Sequence, residues 1–282
     1  MELLKAEIPL NCEIALHGDT HIGSTMYHHA GINKMKKWLL AKRDSRFFVH
    51  MGDAIEGITV DDKRFDFASC DEPIPLEQVK RVVEIYKPIA GQCLAWLKGN
   101  HEDTLKRFGD LSKLMTDENH LNVPYGTWTC KLKLTHKEKQ ICKMFLSHGF
   151  RGRIVSNAKD YEQQQANMKA SLKRKLIHKA SDCLIMCIGH THLLLVCPPA
   201  EKLILRSNDE ELIQEYLKAG NGADSYIEPD RRWYGNTGSF LKLYQIGIDG
   251  YAERAGYDPV ELGYLIVKIR DGIVQDIEKV VL

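Results

Sequence analysis

No C-x-x-C pair occurs in this sequence, although it carries eight cysteines, at positions 12, 70, 93, 130, 142, 183, 187 and 197. The absence removes the framework of a zinc ribbon or a dithiol redox motif. No apolar run reaches the ~18 residues of a membrane-spanning helix, so no membrane partner is expected. An excess of one charge is also missing. The 39 basic and 38 acidic residues leave a net charge of +1. The chain as a whole therefore does not attract nucleic acid or an acidic lipid surface, and any basic site has to be local. The opening "MELLKAEIPLNCEIALHG" lacks the basic n-region, apolar h-region and small-residue cleavage site of a secretory leader. Scattered cysteines without such a leader predict buried or free thiols and a cytoplasmic location. Internal repeats and low-complexity segments are absent as well.

What is present is a chain of 282 residues, 44% hydrophobic and 27% charged, the profile of a globular protein with ample material for a core. We expect one domain over residues 1–282. Five short apolar segments read as strands: "CEIALHGDTH" from Cys12, "RFFVHMGD" from Arg46, "CLAWLKGNHE" from Cys93, "KMFLSHG" from Lys143 and "CLIMCIGHTH" from Cys183. Helical spacing fills the intervals, in "GINKMKKWLLAKR" from Gly31 and "LEQVKRVVEIYKPIAGQ" from Leu76. A long basic helix is expected from a capping Ser156 onward. The stretch from Cys130 to Gly149 reads as a hairpin, and residues 263–282 as a second one turning at Asp271-Gly272. Strands alternating with helices indicate an α/β architecture, in which ligands gather beyond the carboxyl ends of strands.

Each of the five strands ends in polar residues. In order they offer Asp19 and His21, then Asp53, then Asn100 and His101, then His148, then His190 and His192. These are oxygen and imidazole donors with no thiol among them. The mix suits divalent Mn, Fe, Zn, Co or Ni and disfavours a structural zinc site. Any one of these motifs alone is a weak signal. His-x-His at a strand end is stronger, because a loop is needed there to make the two rings converge. All five in this order are hard to produce by accident.

As a set, "GDTH" at Gly18, "GD" at Gly52, "GNHE" at Gly99, "SHG" at Ser147 and "GHTH" at Gly189 resemble the calcineurin-like metallophosphoesterases. "GNTGS" at Gly235 is similar to that family's Asn-Pro-Gly-Ser turn, with Thr237 in place of proline. The resemblance spans roughly residues 13 to 243. Some phage and prophage phosphoesterases look similar through "RRWYGNTGSF" and "GYAERAGY". The resemblance implies two mixed β-sheets packed as a sandwich and flanked by helices, a four-layer α/β/β/α fold. It implies two divalent cations, manganese first, with Fe, Zn, Ni, Co or Mg as alternatives. Asp19, His21 and His192 would hold one, Asn100, His148 and His190 the other, with Asp53 bridging. His101 would face the substrate, and Glu102 would steady His101 or its loop. A hydroxide shared by the cations would attack phosphorus, and His101 would stabilise the phosphoryl group or protonate the leaving oxygen.

The expected activity is phosphoester hydrolysis, leaning to a phosphodiesterase or nuclease. A phosphomonoesterase for nucleotides or phosphoproteins is the alternative, and a catalytically weak binding or regulatory module is the rival of another class. The diester leaning rests on "SHGFRGRIVSNAKD": Arg151 and Arg153 follow His148 closely, and Lys159, Lys169, Lys173, Arg174, Lys175 and Lys179 extend the basic stretch. The competing reading is a solvated helix face. His17 and His50 read either as partners of the motif loops or as strand residues. His28 and His29 read as substrate contacts or as a helix approach. An insert at about 193–235 is expected to contain a helix over "NDEELIQEYLKAGNG", and its role as a cap, an oligomer contact or decoration is open, as is homo-oligomerisation itself.

Overall fold

The computed structural model describes residues 1–149, 154–248 and 250–282. Its strands are β1 (Glu2–Glu7), β2 (Cys12–His17), β3 (Arg46–His50), β4 (Cys93–Trp96), β5 (Thr129–His136), β6 (Lys139–Ser147), β7 (Ile185–Ile188), β8 (Leu194–Cys197), β9 (Leu203–Ser207), β10 (Leu212–Tyr216), β11 (Trp233–Thr237), β12 (Gly263–Arg270) and β13 (Ile273–Val281). The helices are α1 (His29–Leu40), α2 (Pro75–Tyr86), α3 (Asn100–Thr104), α4 (Leu111–Thr116), α5 (Tyr161–Leu176) and α6 (Tyr251–Arg254).

Two mixed sheets result. One has the order β13-β12-β2-β3-β4, the other β1-β5-β6-β7-β11-β8. Period-two alternation sends one face of each sheet inward. Ile14 and Leu16 of β2, Val49 of β3 and Val267 of β12 meet Leu132 of β5, Met144 and Leu146 of β6 and Cys187 of β7 in one buried cluster. The opposite pleats face helices. Ala15 and Phe48 lie under Ile32, Met35 and Leu39 of α1 and Val79, Val82 and Tyr86 of α2. Phe145, Met186 and Ile188 lie under Leu172 and Leu176 of α5. The order helix, sheet, sheet, helix is the expected four-layer sandwich. Truncating one of the fully buried leucines to alanine would cost about 2–5 kcal/mol, which is large against the marginal stability of any domain.

Within their sheets β2, β3 and β4 run parallel, and so do β6 and β7. The carboxyl ends of the motif strands therefore lie along one edge of each sheet. Both expected hairpins form. β5 and β6 turn at Lys137 and Glu138, and β12 and β13 at Asp271 and Gly272, with left-handed backbone at all four turn residues, as two-residue hairpins with the strands' right-handed twist require.

Two expectations fail. The segment "NDEELIQEYLKAGNG" is no helix. It forms the tip and second strand of the β9–β10 ribbon, paired from Leu212↔Ser207 to Tyr216↔Leu203. Asn208 decides this locally, because its Oδ1 accepts the N–H groups of Glu210 and Glu211 and closes a tight turn. The basic helix begins at Tyr161 rather than near Ser156, capped by Asp160, whose Oδ1 accepts Gln163 N–H at 2.8 Å. The structure also adds β1, β8, β9 and β11, which the apolar patterning does not announce. All eight cysteines are free, and seven are buried. Burial pushes the thiols of Cys142 and Cys187 up to about 12, so they remain protonated. Among the described residues no helix is long and apolar enough to cross a membrane.

Candidate active site

The loops after β2, β3, β4, β6 and β7 converge. Three groups of donors form, Asp19 with His21 and His192, Asp53 with His148 and His190, and His21 with Glu56 and His101, each with ligand atoms within 4.8 Å of one another; the first two match the expected ligands. The adjacency of His190 and His192 is resolved by the backbone. Asp19, His21, Asp53, His190 and His192 all have positive φ, between 49° and 69°. Left-handed non-glycine residues cost roughly 1–2 kcal/mol each. Such residues concentrate where a side chain must be aimed against the run of the strand.

Gly52 and Gly99 let these loops meet. Gly52 has φ +98° and no room for a Cβ, which would stand 2.6 Å from His148 Nδ1. A Cβ on Gly99 would lie 2.0 Å from Asp53 Oδ1. Behind them Glu102 accepts backbone N–H groups from Asp53 (3.2 Å), Ala54 (2.6 Å), Ile55 (3.2 Å) and Gly99 (2.9 Å). One carboxylate thus ties the β3 loop to the β4 loop. Burial and the charge of Asp53 push the Glu102 carboxyl up to about 7, against the pull of its N–H donors. Through these four hydrogen bonds Glu102 holds the two loops together.

The hydrogen bonds fix which ring nitrogens face inward. His148 Nδ1 donates to Met51 O at 2.8 Å, so its Nε2 faces the centre, 2.8 Å from Asn100 Oδ1 and 3.2 Å from Asp53 Oδ2. In a neutral ring the Nε2 lone pair stands against two oxygen acceptors, a repulsion that a proton or a metal cation at this point relieves. The same juxtaposition overcomes the effect of burial and lifts the His148 pKa to about 9, chiefly through Asp53. On the other side His21 Nδ1 donates to Glu56 Oε2 at 2.8 Å, leaving Nε2 turned toward Asp53 Oδ2 at 4.0 Å. His21 Nε2 and Asp19 Oδ1 are buried without a hydrogen-bond partner, and His192 Nε2 stands 3.3 Å from that Asp19 oxygen. Orphaned buried acceptors of this kind are costly unless a ligand satisfies them. The donor set therefore fits divalent cations, and its oxygen and imidazole chemistry suits Mn, Fe, Zn, Co or Ni.

His101 lies beside both expected groups. Its backbone N–H donates to Asp53 Oδ1 at 2.9 Å, its Nδ1–H donates to Glu56 O, and its ring stands edge-on to His21 at 4.5 Å. Burial works against charging it, but Asp53 and Glu56 outweigh that and raise its pKa above 6.5. Asp53 is held well below 3.8, with burial opposing and His148 and His101 prevailing.

Every expected donor is thus brought together. Arg151 and Arg153 lie outside the described residues. Lys173, expected on a basic lip, is paired with Asp230. His17 and His50 lie behind the loops: His17 Nε2 meets Tyr86 Oη at 2.9 Å, and His50 Nδ1 accepts the Gly52 N–H while its ring stacks on Trp96. His28 caps α1 through Gly31 N–H. Sequence reasoning missed Glu56, three residues past Asp53, and the bracing role of Ser239, whose Oγ donates to Asp19 O. An acidic residue at that spacing was the available signal for Glu56.

The sequence profile of the calcineurin-like phosphoesterases matches residues 13–227. Similar solved structures include Yfce, a phosphoesterase from E. coli, at 15% identity and TM-score 0.40, over 94% of this chain and 98% of that one. A metallophosphoesterase from Sphaerobacter thermophilus is similar at 14% identity and TM-score 0.36, over 95% and 88%. The NAD nucleotidase NadN of Haemophilus influenzae is similar at 13% identity and TM-score 0.44, over 96% and 50%. No curated protein matches. A family match that runs from β2 beyond β10 and takes in every donor named above makes this chain a member of the calcineurin-like phosphoesterase family, a metal-dependent hydrolase of phosphoester bonds.

Proposed function

We propose that the chain hydrolyses phosphodiesters, with nucleic acid as the substrate class, at two divalent cations that share Asp53. Asp19, His21 and His192 would hold one, and Asn100, His148 and His190 the other. The observation that carries the two-cation reading is Asp53 Oδ2, which faces His148 Nε2 at 3.2 Å and His21 Nε2 at 4.0 Å while Oδ1 is taken by the His101 amide. When bound, such a pair supplies Lewis-acid polarisation of the phosphoryl group and of an attacking water. His101 keeps Nδ1 engaged with Glu56 O, so Nε2 is the atom from which a proton would pass to the leaving oxygen. Asn100 contributes a neutral oxygen and so adds no repulsion toward an anionic substrate. The diester reading is supported by the sequence around Arg151 and Arg153 and by exposed Lys169 and Arg174 on α5. Manganese is the first metal to test, and eight unpaired cysteines support a reducing, cytoplasmic setting.

The test is a substrate panel with Mn²⁺, Mg²⁺, Zn²⁺, Ni²⁺ and Co²⁺. It compares bis(p-nitrophenyl) phosphate with p-nitrophenyl phosphate, and then single- and double-stranded DNA and RNA. Diester and oligonucleotide cleavage, with a higher KM but little change in kcat for Arg151→Ala and Arg153→Ala, is the expected result. Monoester turnover with no oligonucleotide cut under any metal would make a phosphomonoesterase the better reading.

A further inference from the structure

The β9–β10 ribbon is a sheet of two strands with no third strand on either edge among the described residues. An isolated hairpin of this size is marginal in water. Its register places Leu203, Leu205, Ser207, Leu212, Gln214 and Tyr216 on one face, since cross-strand partners and alternate residues share a side. That face is open: Leu203 is 56%, Leu205 63%, Leu212 76% and Tyr216 65% exposed. The opposite face holds half-buried Ile204 and Ile213 and an Arg206–Glu215 ion pair at 2.6 Å. The ribbon thus carries its charge pair on one side and leaves the other side uncharged, with four large apolar or aromatic side chains beside Ser207 and Gln214.

We propose that this face docks against the same face of a second copy of the chain, the two ribbons lying antiparallel about a two-fold axis. Three observations point to a second copy. A two-fold contact sets a surface against itself, and a face without charged side chains opposes no like charges when it does so. The ends of the ribbon are complementary. Its tip carries Asp209, Glu210 and Glu211, while its base carries Lys202 and Lys218, with Arg231 bonded to the Lys218 carbonyl; of the acids there, Glu201 and Asp230, Asp230 is already paired with Lys173. Antiparallel apposition brings each acidic tip over the other copy's basic base; parallel apposition would set like charges together. The area also suffices. Four large side chains more than half exposed present on the order of 500 Å², toward the top of what a monomer usually shows. Two such faces would bury roughly 1,000 Å², where specific interfaces begin.

Sedimentation velocity and light scattering on the full chain, over a range of protein and salt concentrations, test this. The expected result is a dimer that weakens as salt rises. Leu205→Asp with Leu212→Asp should be monomeric, with dissociation raised at least a hundredfold, and should cleave substrate at the parent rate. Because those changes could disturb the ribbon, charge reversal is the second arm. Lys202→Glu with Lys218→Glu should weaken association about tenfold or more, and adding Asp209→Lys and Glu210→Lys should restore it. A parent chain that stays monomeric at high concentration would overturn the proposal. So would a dimer that survives the aspartates, or one that ignores the charge reversal.

Discussion

Removing the Glu56 carboxylate should weaken cation binding at the Asp19–His21–His192 group while sparing the chemistry once cations are saturating. His21 Nδ1 donates to Glu56 Oε2 at 2.8 Å, and both groups are buried. A hydrogen bond to a charged group contributes about 1.5–3 kcal/mol net. Loss of the partner that orients a metal-binding histidine lowers affinity about 10–100-fold, which corresponds to about 1.4–2.8 kcal/mol. The two scales agree. Glu56→Gln keeps an oxygen able to accept the same N–H and loses only the charge, so it belongs near the tenfold end. Glu56→Ala removes the acceptor and belongs near the hundredfold end. Both keep the main-chain carbonyl that holds His101, so kcat at saturating Mn²⁺ should stay close to the parent value. Calorimetric titration of metal-free protein with Mn²⁺, run beside activity against free Mn²⁺, separates the two effects. Unchanged Mn²⁺ affinity in Glu56→Ala, or a loss of kcat that excess Mn²⁺ does not restore, would refute the reasoning.

His101→Ala should retain its metal content by elemental analysis and lose roughly 10²–10⁴ in rate. The loss should shrink for substrates with good leaving groups, and an equal loss across leaving groups would argue against proton donation. Asp53→Asn should lose most activity and bind less metal; two tightly held metals in that variant would sink the shared role of Asp53. Gly99→Ala would place a methyl 2.0 Å from Asp53 Oδ1 and 2.2 Å from Asp53 N, so the β3 loop has to move. A displacement of that order should cost about 10²-fold or more in kcat/KM, and parent-like kinetics would show that the loops yield more easily than their packing implies.

The motif strands were legible because each is a short apolar run closed by Gly with Asp, Asn or His, and burial on both faces leaves a strong signal in such runs. The convergence of His190 and His192 was not legible, since nothing in Gly-His-Thr-His states that both histidines adopt positive φ. Residues 208–222 misled for a different reason. Glu, Leu, Gln and Lys are good helix formers, and a ribbon exposed on one face and half-buried on the other gives little periodicity to oppose them. β1 and β11 escaped because their pairing partners lie far off in sequence. Glu56 was hidden in the same way: its value lies in a contact with His21, 35 residues away.

The two expected donor groups do not divide along the line between the sheets. Asp19 and His21 follow β2 of one sheet, while His192 follows β7 of the other; Asp53 follows β3, while His148 and His190 follow β6 and β7. Each group therefore straddles the seam of the sandwich, as a clasp straddles the two halves of a case. A slight slide of one sheet over the other, of the kind a changed side chain at Leu16 or Met144 would cause, alters the gap across which the ligands must reach. Substitutions deep in the interior should accordingly be felt first as altered metal selectivity, well before the fold gives way. Natural variation in that interior would then be a means of retuning the cation without touching a single ligand.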